Sequence, residues 1–377
     1  MRKRPFSRGA WVPIRALFDP MESERRSKLL FGRIFYDEPG ATSPENALGS
    51  AAAHDFPRSS EAGPMAETPS QSDVSDVPIG DDVVLPFRTD DPNVKGRLVR
   101  LGPCADTILK RHNYPDKVSE ILAEAMALTA MLGASLPAGA KLSLQTRTDG
   151  PLNFVFIDFD AEGLMRATAS FNAAKVAELS KAAGNARATL LGTGHMALTI
   201  EPGEGLDQTQ GIAAIDGGSL TAAAQAYFRQ SEQLPTYIRL TVAKHIVAGA
   251  NGAVSSWRAG GLMVQHLQQP LESEDSIDAD EWNNVRVLAA TVEDHELLDP
   301  ALPPDRLLFR LFQEEGVRIF APKPLAVHCR CSREKVEVFL KSFGRERLAD
   351  MNDDEGKISV TCEFCNTSYR FEPENLE

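Results

Sequence analysis

The chain has 377 residues and a formal charge of −13, length enough for two or three domains at roughly 150 residues each. Hydrophobic residues make up 42%, ample for a core. The acidic balance argues against a nucleic-acid surface, because phosphate binding rests on Lys and Arg. Five cysteines are too few at this length for a secreted disulfide framework.

Charge is spread unevenly: residues 1–36 carry nine Lys/Arg against three Asp/Glu. The opening MRKRPFSRGAWVPIRALF is basic but has no apolar stretch of secretory length. Residues 37–80 are rich in Ser, Pro, Ala, Gly and acids without periodicity. Such a stretch cannot bury enough apolar surface to offset the entropy of ordering. Residues 1–81 are therefore expected to form a disordered extension, within which Met65, opening MAETPSQSD, offers an alternative start.

From Asp82 onward the pattern changes. Val83–Phe87 and Arg97–Leu101 read as strands. Asp116 opens a helix carrying Val118, Ile121, Leu122, Ala125, Met126, Thr129 and Leu132 at helical spacing. The apolar run Ile121–Leu136 is interrupted by Glu124 and reads as a buried helix, not a membrane span. Ala140–Arg147 and Leu152–Asp158 are strands joined at an Asp149–Gly150 turn. Met165–Ala169, Ala197–Ile200 and Gly211–Ile215 continue the β pattern, Ser219–Gln230 is helical, and Gly261–Leu267 is a last strand. The reading is an α+β domain over residues 82–268 with a largely antiparallel sheet.

Residues 269–322 differ. Between 271 and 300 there are ten acids and one base, Arg286, yet Trp282, Val285, Leu288, Val292, Leu297 and Leu298 recur near helical spacing. Leu307, Leu308, Leu311 and Phe312 follow. These are amphipathic helices with an acidic face, stable only when the apolar stripe lies on something else. An ordinary helical connection and a detachable, metastable linker both fit.

Residues 323–377 form a small C-terminal domain. Cys329 and Cys331 lie in HCRC, Cys362 and Cys365 in CEFC, with thirty residues between the pairs. Four thiolates make a closed tetrahedral site for Zn2+ and leave no open position for a catalytic water. Ser332 opens a short helix with Val336, Phe339, Leu340 and Phe343. Lys357–Thr361 and Thr367–Phe371 flank CEFC as a hairpin whose knuckle carries Cys362 and Cys365. His328 reads as a neighbour of the set, not a ligand. Arg330, Arg333, Lys335 and Lys341 are close enough in sequence to offset the excess negative charge. Cys104, in LGPCAD, has no partner and reads as a small buried residue.

Magnitudes turn this site into a switch. A structural zinc contributes roughly 10–16 kcal/mol to folding. Disulfides inside C-x-C and C-x-x-C close loops of about three or four residues, worth roughly 2 kcal/mol each. Oxidation of that kind would exchange a long-range clamp for two local ones, and the C-terminal domain should unfold. Zinc-bound thiolates are also the form that oxidants attack.

HCRCSRE…CEFCNTSY resembles the redox-switch domain of the 33 kDa chaperonin family of bacterial heat-shock chaperones. Tyr227-Phe228 with Ser231-Glu232-Gln233-Leu234-Pro235-Thr236, Asp149-Gly150-Pro151-Leu152-Asn153 and Gly192-Thr193-Gly194 resemble further family segments, so the similarity covers about residues 83–377. Clustered thiols that need to stay reduced fit a cytoplasmic setting. With no Ser/His/Asp set, phosphate-cradling glycine loop or carboxylate pair, the chain is not expected to be an enzyme. The resemblance implies a holdase that is dormant while reduced and bound to one Zn2+. Peroxide or hypochlorous acid with heat would form the disulfides Cys329–Cys331 and Cys362–Cys365 and release the metal. The linker would then unfold, the chain would form a homodimer, and unfolding client proteins would bind, with no nucleic acid or membrane involved. Two rivals remain. A zinc ribbon that binds nucleic acid would need a basic surface, whereas acids outnumber bases over 323–377. A thiol oxidoreductase using CEFC would need a thioredoxin-like βαβ setting.

Overall fold

A computed structural model describes residues 80–376 apart from the short stretches 91–93, 180–185, 204–205, 218, 250–251, 267–276, 344 and 354. The expected disordered extension lies outside the described residues as far as residue 79.

The first elements are β1 (Val83–Arg88), β2 (Val94–Leu101), α1 (Pro103–His112) and α2 (Asp116–Gly133). The chain then runs β3 (Lys141–Thr148), β4 (Leu152–Asp160), β5 (Leu164–Phe171), α3 (Ala173–Leu179), α4 (Ala186–Leu191), β6 (Gly194–Glu201) and β7 (Thr209–Ile215). It continues with α5 (Leu220–Gln230), β8 (Thr236–Gly249) and β9 (Gly252–His266). Helices α6 (Ile277–Ala290), α7 (Asp294–Leu298) and α8 (Pro304–Phe312) precede three two-residue strands, β10 (Arg318–Ile319), β11 (Lys323–Pro324) and β12 (Ala326–Val327). Last come α9 (Arg333–Lys341), α10 (Arg345–Ala349), β13 (Ile358–Thr361) and β14 (Ser368–Phe371).

One six-stranded sheet runs β10-β1-β2-β9-β8, with β11 also on β1; a second runs β12-β5-β4-β3-β6-β7. Pairing is antiparallel except for β12 on β5, which is parallel. The expected α+β class with antiparallel sheets is what forms. Helix α2 lies at the centre of the largest apolar cluster, which draws on both sheets. Its Val118, Ile121, Leu122, Met126, Leu128 and Leu132 are all at most 1% exposed, as a helix that is apolar all round must be. Gly133 permits this depth, because a Cβ there would fall 2.3 Å from the Phe159 ring.

The other face of the β1-β2-β9 sheet carries a second cluster. Leu85, Phe87, Leu98, Leu262 and Val264 of the sheet meet Val285, Ala289, Leu297, Leu307, Leu308 and Phe312 of α6–α8. Phe87 stacks on Phe312 with centroids 5.3 Å apart. The apolar stripe read in the acidic segment thus finds its cover on the sheet. A third, small cluster of Leu340, Leu348, Ile358, Phe371 and Leu376 supports the C-terminal hairpin.

Several elements went unread in the sequence, among them α1, α3, α4, α10 and β8. Helix α1 begins at the proline of the Gly102-Pro103 pair and is only ten residues long. Strand β8 forms a long hairpin with β9 whose outer half (Ile246, Val247, Val254) is exposed, so its apolar residues follow no one-sided alternation. Strand β9 also begins nine residues before the expected Gly261.

Candidate metal centre and its docking

The four cysteines come from two places in the fold. Cys329 and Cys331 follow β12, and His328 just before them donates its backbone N–H to the Met165 carbonyl at 2.9 Å. Ser332 then caps α9, its hydroxyl accepting from the Lys335 amide at 3.3 Å. Cys362 and Cys365 sit on the turn between β13 and β14. That turn is closed by Cys362 N–H to the Thr367 carbonyl and Asn366 N–H to the Cys362 carbonyl, both 2.9 Å, with Asn366 in the left-handed region at φ 58. Asn tolerates that conformation better than most residues.

All four sulfurs lie within 4.8 Å of one another. Sγ of Cys329 is 3.3 Å from Cys331 and 3.7 Å from Cys362, and Cys331 is 3.3 Å from Cys365. Zinc–sulfur bonds of about 2.3 Å in a tetrahedron place the sulfurs about 3.8 Å apart, so the donor set fits a single ion. His328 is not part of this group.

The four thiols differ in their electrostatic setting. Burial pushes the Cys329 thiol up to about 12 and raises Cys362 as well. Burial pushes Cys365 up too, but its hydrogen bonds with Thr367 and the neighbouring thiols outweigh this and bring it down to about 7. The Tyr369 hydroxyl, 3.3 Å from Cys331 Sγ, is raised to about 12 by that bond. Four thiolates side by side would be held only with a cation among them.

The four basic residues expected to offset the cluster are engaged elsewhere. Arg330 bridges to Asp158 (3.2 Å) and Asp160 (3.7 Å) on β4. Arg333 donates to the Arg370 carbonyl at 2.8 Å and lies over the Phe371 ring. Lys335 donates to the Arg330 carbonyl and Lys341 pairs with Glu337. They hold the domain's shape and its seat on the core.

That seat was not legible in the sequence. Phe364, between the knuckle cysteines, meets the Phe156 ring edge-on at 5.8 Å and lies under the Arg166 guanidinium at 4.1 Å. Arg166 is itself fixed by Asp158 at 2.7 Å. Nε2 of His112 is 3.1 Å from the Phe364 carbonyl, and the Asn366 side-chain amide donates to the Arg111 carbonyl at 2.9 Å. The knuckle is thereby wedged between the end of α1 and the β4–β5 sheet. A hint was available: Phe364 is the one C-x-x-C residue that is neither a ligand nor hydrophilic.

The other singled-out segments serve the fold. Asp149 accepts from the Thr193 amide (2.7 Å) and hydroxyl (2.8 Å), which locks the Asp149–Pro151 turn to Gly192–Gly194. Tyr227 donates to Glu232 at 2.6 Å, and the Leu234 amide donates to the Phe228 carbonyl, fixing the turn into β8. Cys104 is 5% exposed, as expected of a buried residue.

The chain is an α+β body of antiparallel sheets that carries a four-cysteine knuckle. The Hsp33 protein family model matches residues 82–372. The chain is 40% identical over 299 residues to a 33 kDa chaperonin of Caulobacter vibrioides, covering 79% of this chain and 97% of that one. It is 34% identical over 292 residues to one of Methylobacillus flagellatus, covering 77% and 92%. A crystal structure of the 33 kDa chaperonin (heat shock protein 33 homolog) from Thermotoga maritima superposes with a TM-score of 0.60 at 21% identity, covering 78% of this chain and 96% of that one, a likeness of fold. The chain belongs to the Hsp33 family, a family of chaperones.

Proposed function

We propose that the protein is a redox-regulated holdase whose switch is the four-cysteine knuckle. Cys329, Cys331, Cys362 and Cys365 would hold one Zn2+ in the reduced form. Zinc bound there would keep the sulfurs ionised and tie the strap before α9 to the β13–β14 hairpin. On oxidation, each cysteine pair gives two electrons to one peroxide, whose O–O bond breaks; the two oxygens leave as water with the available protons. The products are Cys329–Cys331 and Cys362–Cys365. So paired, the sulfurs no longer ligate a cation and no longer join the two segments.

The observation that carries this reading is that the sulfur contacts Cys329–Cys362 and Cys331–Cys365 join segments 33 and 34 residues apart, on a knuckle whose Phe364 is wedged against the core. Reorganising the knuckle therefore bears on both the C-terminal domain and its seat. We divide the chain into an extension (1–81), a core (82–268), a linker (269–322) and a switch domain (323–377). The linker helices would leave the sheet once the switch domain unfolds, exposing their apolar stripe and the sheet beneath to clients, with two chains then associating as a homodimer. Exposed apolar surface of this kind fits unfolding proteins. Thiols that must stay reduced at rest fit the cytoplasm. Among the described residues no helix is long and apolar enough to cross a membrane.

The test is bound zinc and suppression of aggregation of a heat-unfolding protein, before and after peroxide at raised temperature, with disulfides mapped on non-reduced peptides. One zinc per chain and little suppression are expected before oxidation. Loss of metal, the two local disulfides and strong suppression are expected after it. Equal suppression in both forms overturns the switch, and cross-paired disulfides overturn the pairing.

A further inference from the structure

Beneath the linker the core sheet carries a polar cradle. Arg100 of β2 and Arg258 of β9 are 1% and 6% exposed and point at the end of α7. Arg100 donates Nε to the Leu297 carbonyl (3.1 Å), Nη2 to Glu296 (3.1 Å) and Nη1 to Leu302 (2.5 Å). Arg258 donates Nε to the Leu298 carbonyl (2.6 Å), and its other nitrogens are held by Asp81 at 2.8 and 2.5 Å. Gly260, paired with Arg100 in register, leaves room for the backbone: a Cβ there would lie 2.8 Å from the Leu297 oxygen.

Four hydrogen bonds from two guanidinium groups thus end on main-chain carbonyls: three in the last turn of α7, where a helix leaves its acceptors unpaired, and one at Leu302 in the turn that follows. They address no side chain of α7. At the cradle itself the side-chain contact is apolar, made by Leu297 in the cluster with Leu98 and Leu262. The polar side-chain contact of α7 with the sheet, Asp294 with Arg239 at 2.9 Å, is exposed and lies at the other end of the helix. A receptor that reads carbonyls and one apolar group discriminates by shape and not by sequence, which is what capture of varied unfolding proteins demands.

Building on the holdase reading, we propose that Arg100, Arg258 and Gly260 form a receptor for the C-terminal turn of an amphipathic helix on an unfolding protein, and that α7 occupies it at rest. The arginines then have two opposed roles: they retain the linker, and once it is gone they hold the client. A purely linker-retaining role would leave client capture untouched by their loss.

The test opens the linker without oxidation. Leu297→Asp places a charge in the apolar cluster and displaces α7 while leaving the cradle intact. A fluorescently labelled amphipathic helical peptide unrelated in sequence to the linker, with one Leu in its last turn, is titrated into the full-length reduced chain and read by anisotropy. The Leu297→Asp chain should bind it and the wild type should not. Adding Arg258→Gln should weaken binding at least about tenfold, as loss of charge-assisted hydrogen bonds does. Arg258→Lys, which keeps the charge but not the fork, should fall between and carries the test if the Gln chain does not fold. Equal binding with and without Arg258, or no binding by Leu297→Asp, overturns the cradle. A chain that binds the peptide yet never suppresses aggregation in either redox state overturns the holdase reading instead.

Discussion

Cys104 shows how a single thiol can be held out of the redox chemistry around it. It lies at the start of α1, its amide bonded to the Asp82 carboxylate at 3.0 and 3.1 Å and its sulfur 3.6 Å from the Leu325 carbonyl. Burial, then the charge of Asp82, pushes this thiol from 9.0 up to about 12, so the folded chain keeps it protonated and unreactive. The sign of the linkage follows. The folded pKa is raised, so the contribution is intact below the unfolded value and is lost as pH climbs from about 9 toward 12. Across that window stability should fall by up to about 1.4 kcal/mol per pH unit from this group alone. Urea unfolding of wild type and Cys104→Ala at pH 7.5 and 10.5 checks it: the wild type should lose more stability than the variant between the two values. Parallel losses would mean that Cys104 ionises freely in the folded protein.

At the scale of elements, the linker helices are amphipathic pieces stable only on their platform. Leu308 of α8 is fully buried against the sheet with Phe87 and Phe312 nearby in the same cluster. Leu308→Ala should cost about 2–5 kcal/mol, confined to this layer because α2 belongs to a different cluster. Hydrogen exchange read by mass spectrometry should show faster exchange across 277–320 and unchanged protection across 116–133. Equal loosening of both would mean one cooperative core. The sequence made this layer partly legible. Leu307, Leu308, Leu311 and Phe312 announce a stripe by their spacing alone, but what the stripe meets depends on β2 and β9, about two hundred and ten residues distant at one edge and about forty at the other. Arg100 and Arg258 illustrate the limit. An arginine in a strand reads as exposed or edge, and only the arrival of α7's unpaired carbonyls explains its burial. The four cysteines were legible for the opposite reason, since their chemistry is local to the thiol and their number and pairing already demand one another.

At the scale of the molecule, the cluster and the core communicate through the seat of Phe364. Its ring is held by Phe156 and Arg166, its carbonyl by His112, and Arg330 ties the same region to Asp158. None of these groups is a sulfur ligand. Phe364→Ala should therefore leave the metal content of the reduced protein unchanged while releasing the C-terminal domain from the β4–β5 sheet. A larger radius of gyration in small-angle scattering and faster proteolysis between 313 and 332 are expected. Unchanged scattering and proteolysis would show that the linker alone positions the domain. No aromatic pattern in the sequence marks this contact, because Phe156, Arg166 and His112 come from three separate elements.

Between Lys323 and Val327 the chain does something further. Strand β11 pairs with β1 of one sheet and, one residue later, β12 pairs with β5 of the other; Cys329 follows two residues on. The two sheets therefore share a single messenger. Along the backbone, slack or tension at the first cysteine passes through the same five residues to reach either one. The layout makes this stretch of backbone a party line: a local chemical event at sulfur is carried, by connectivity, to both halves of the body.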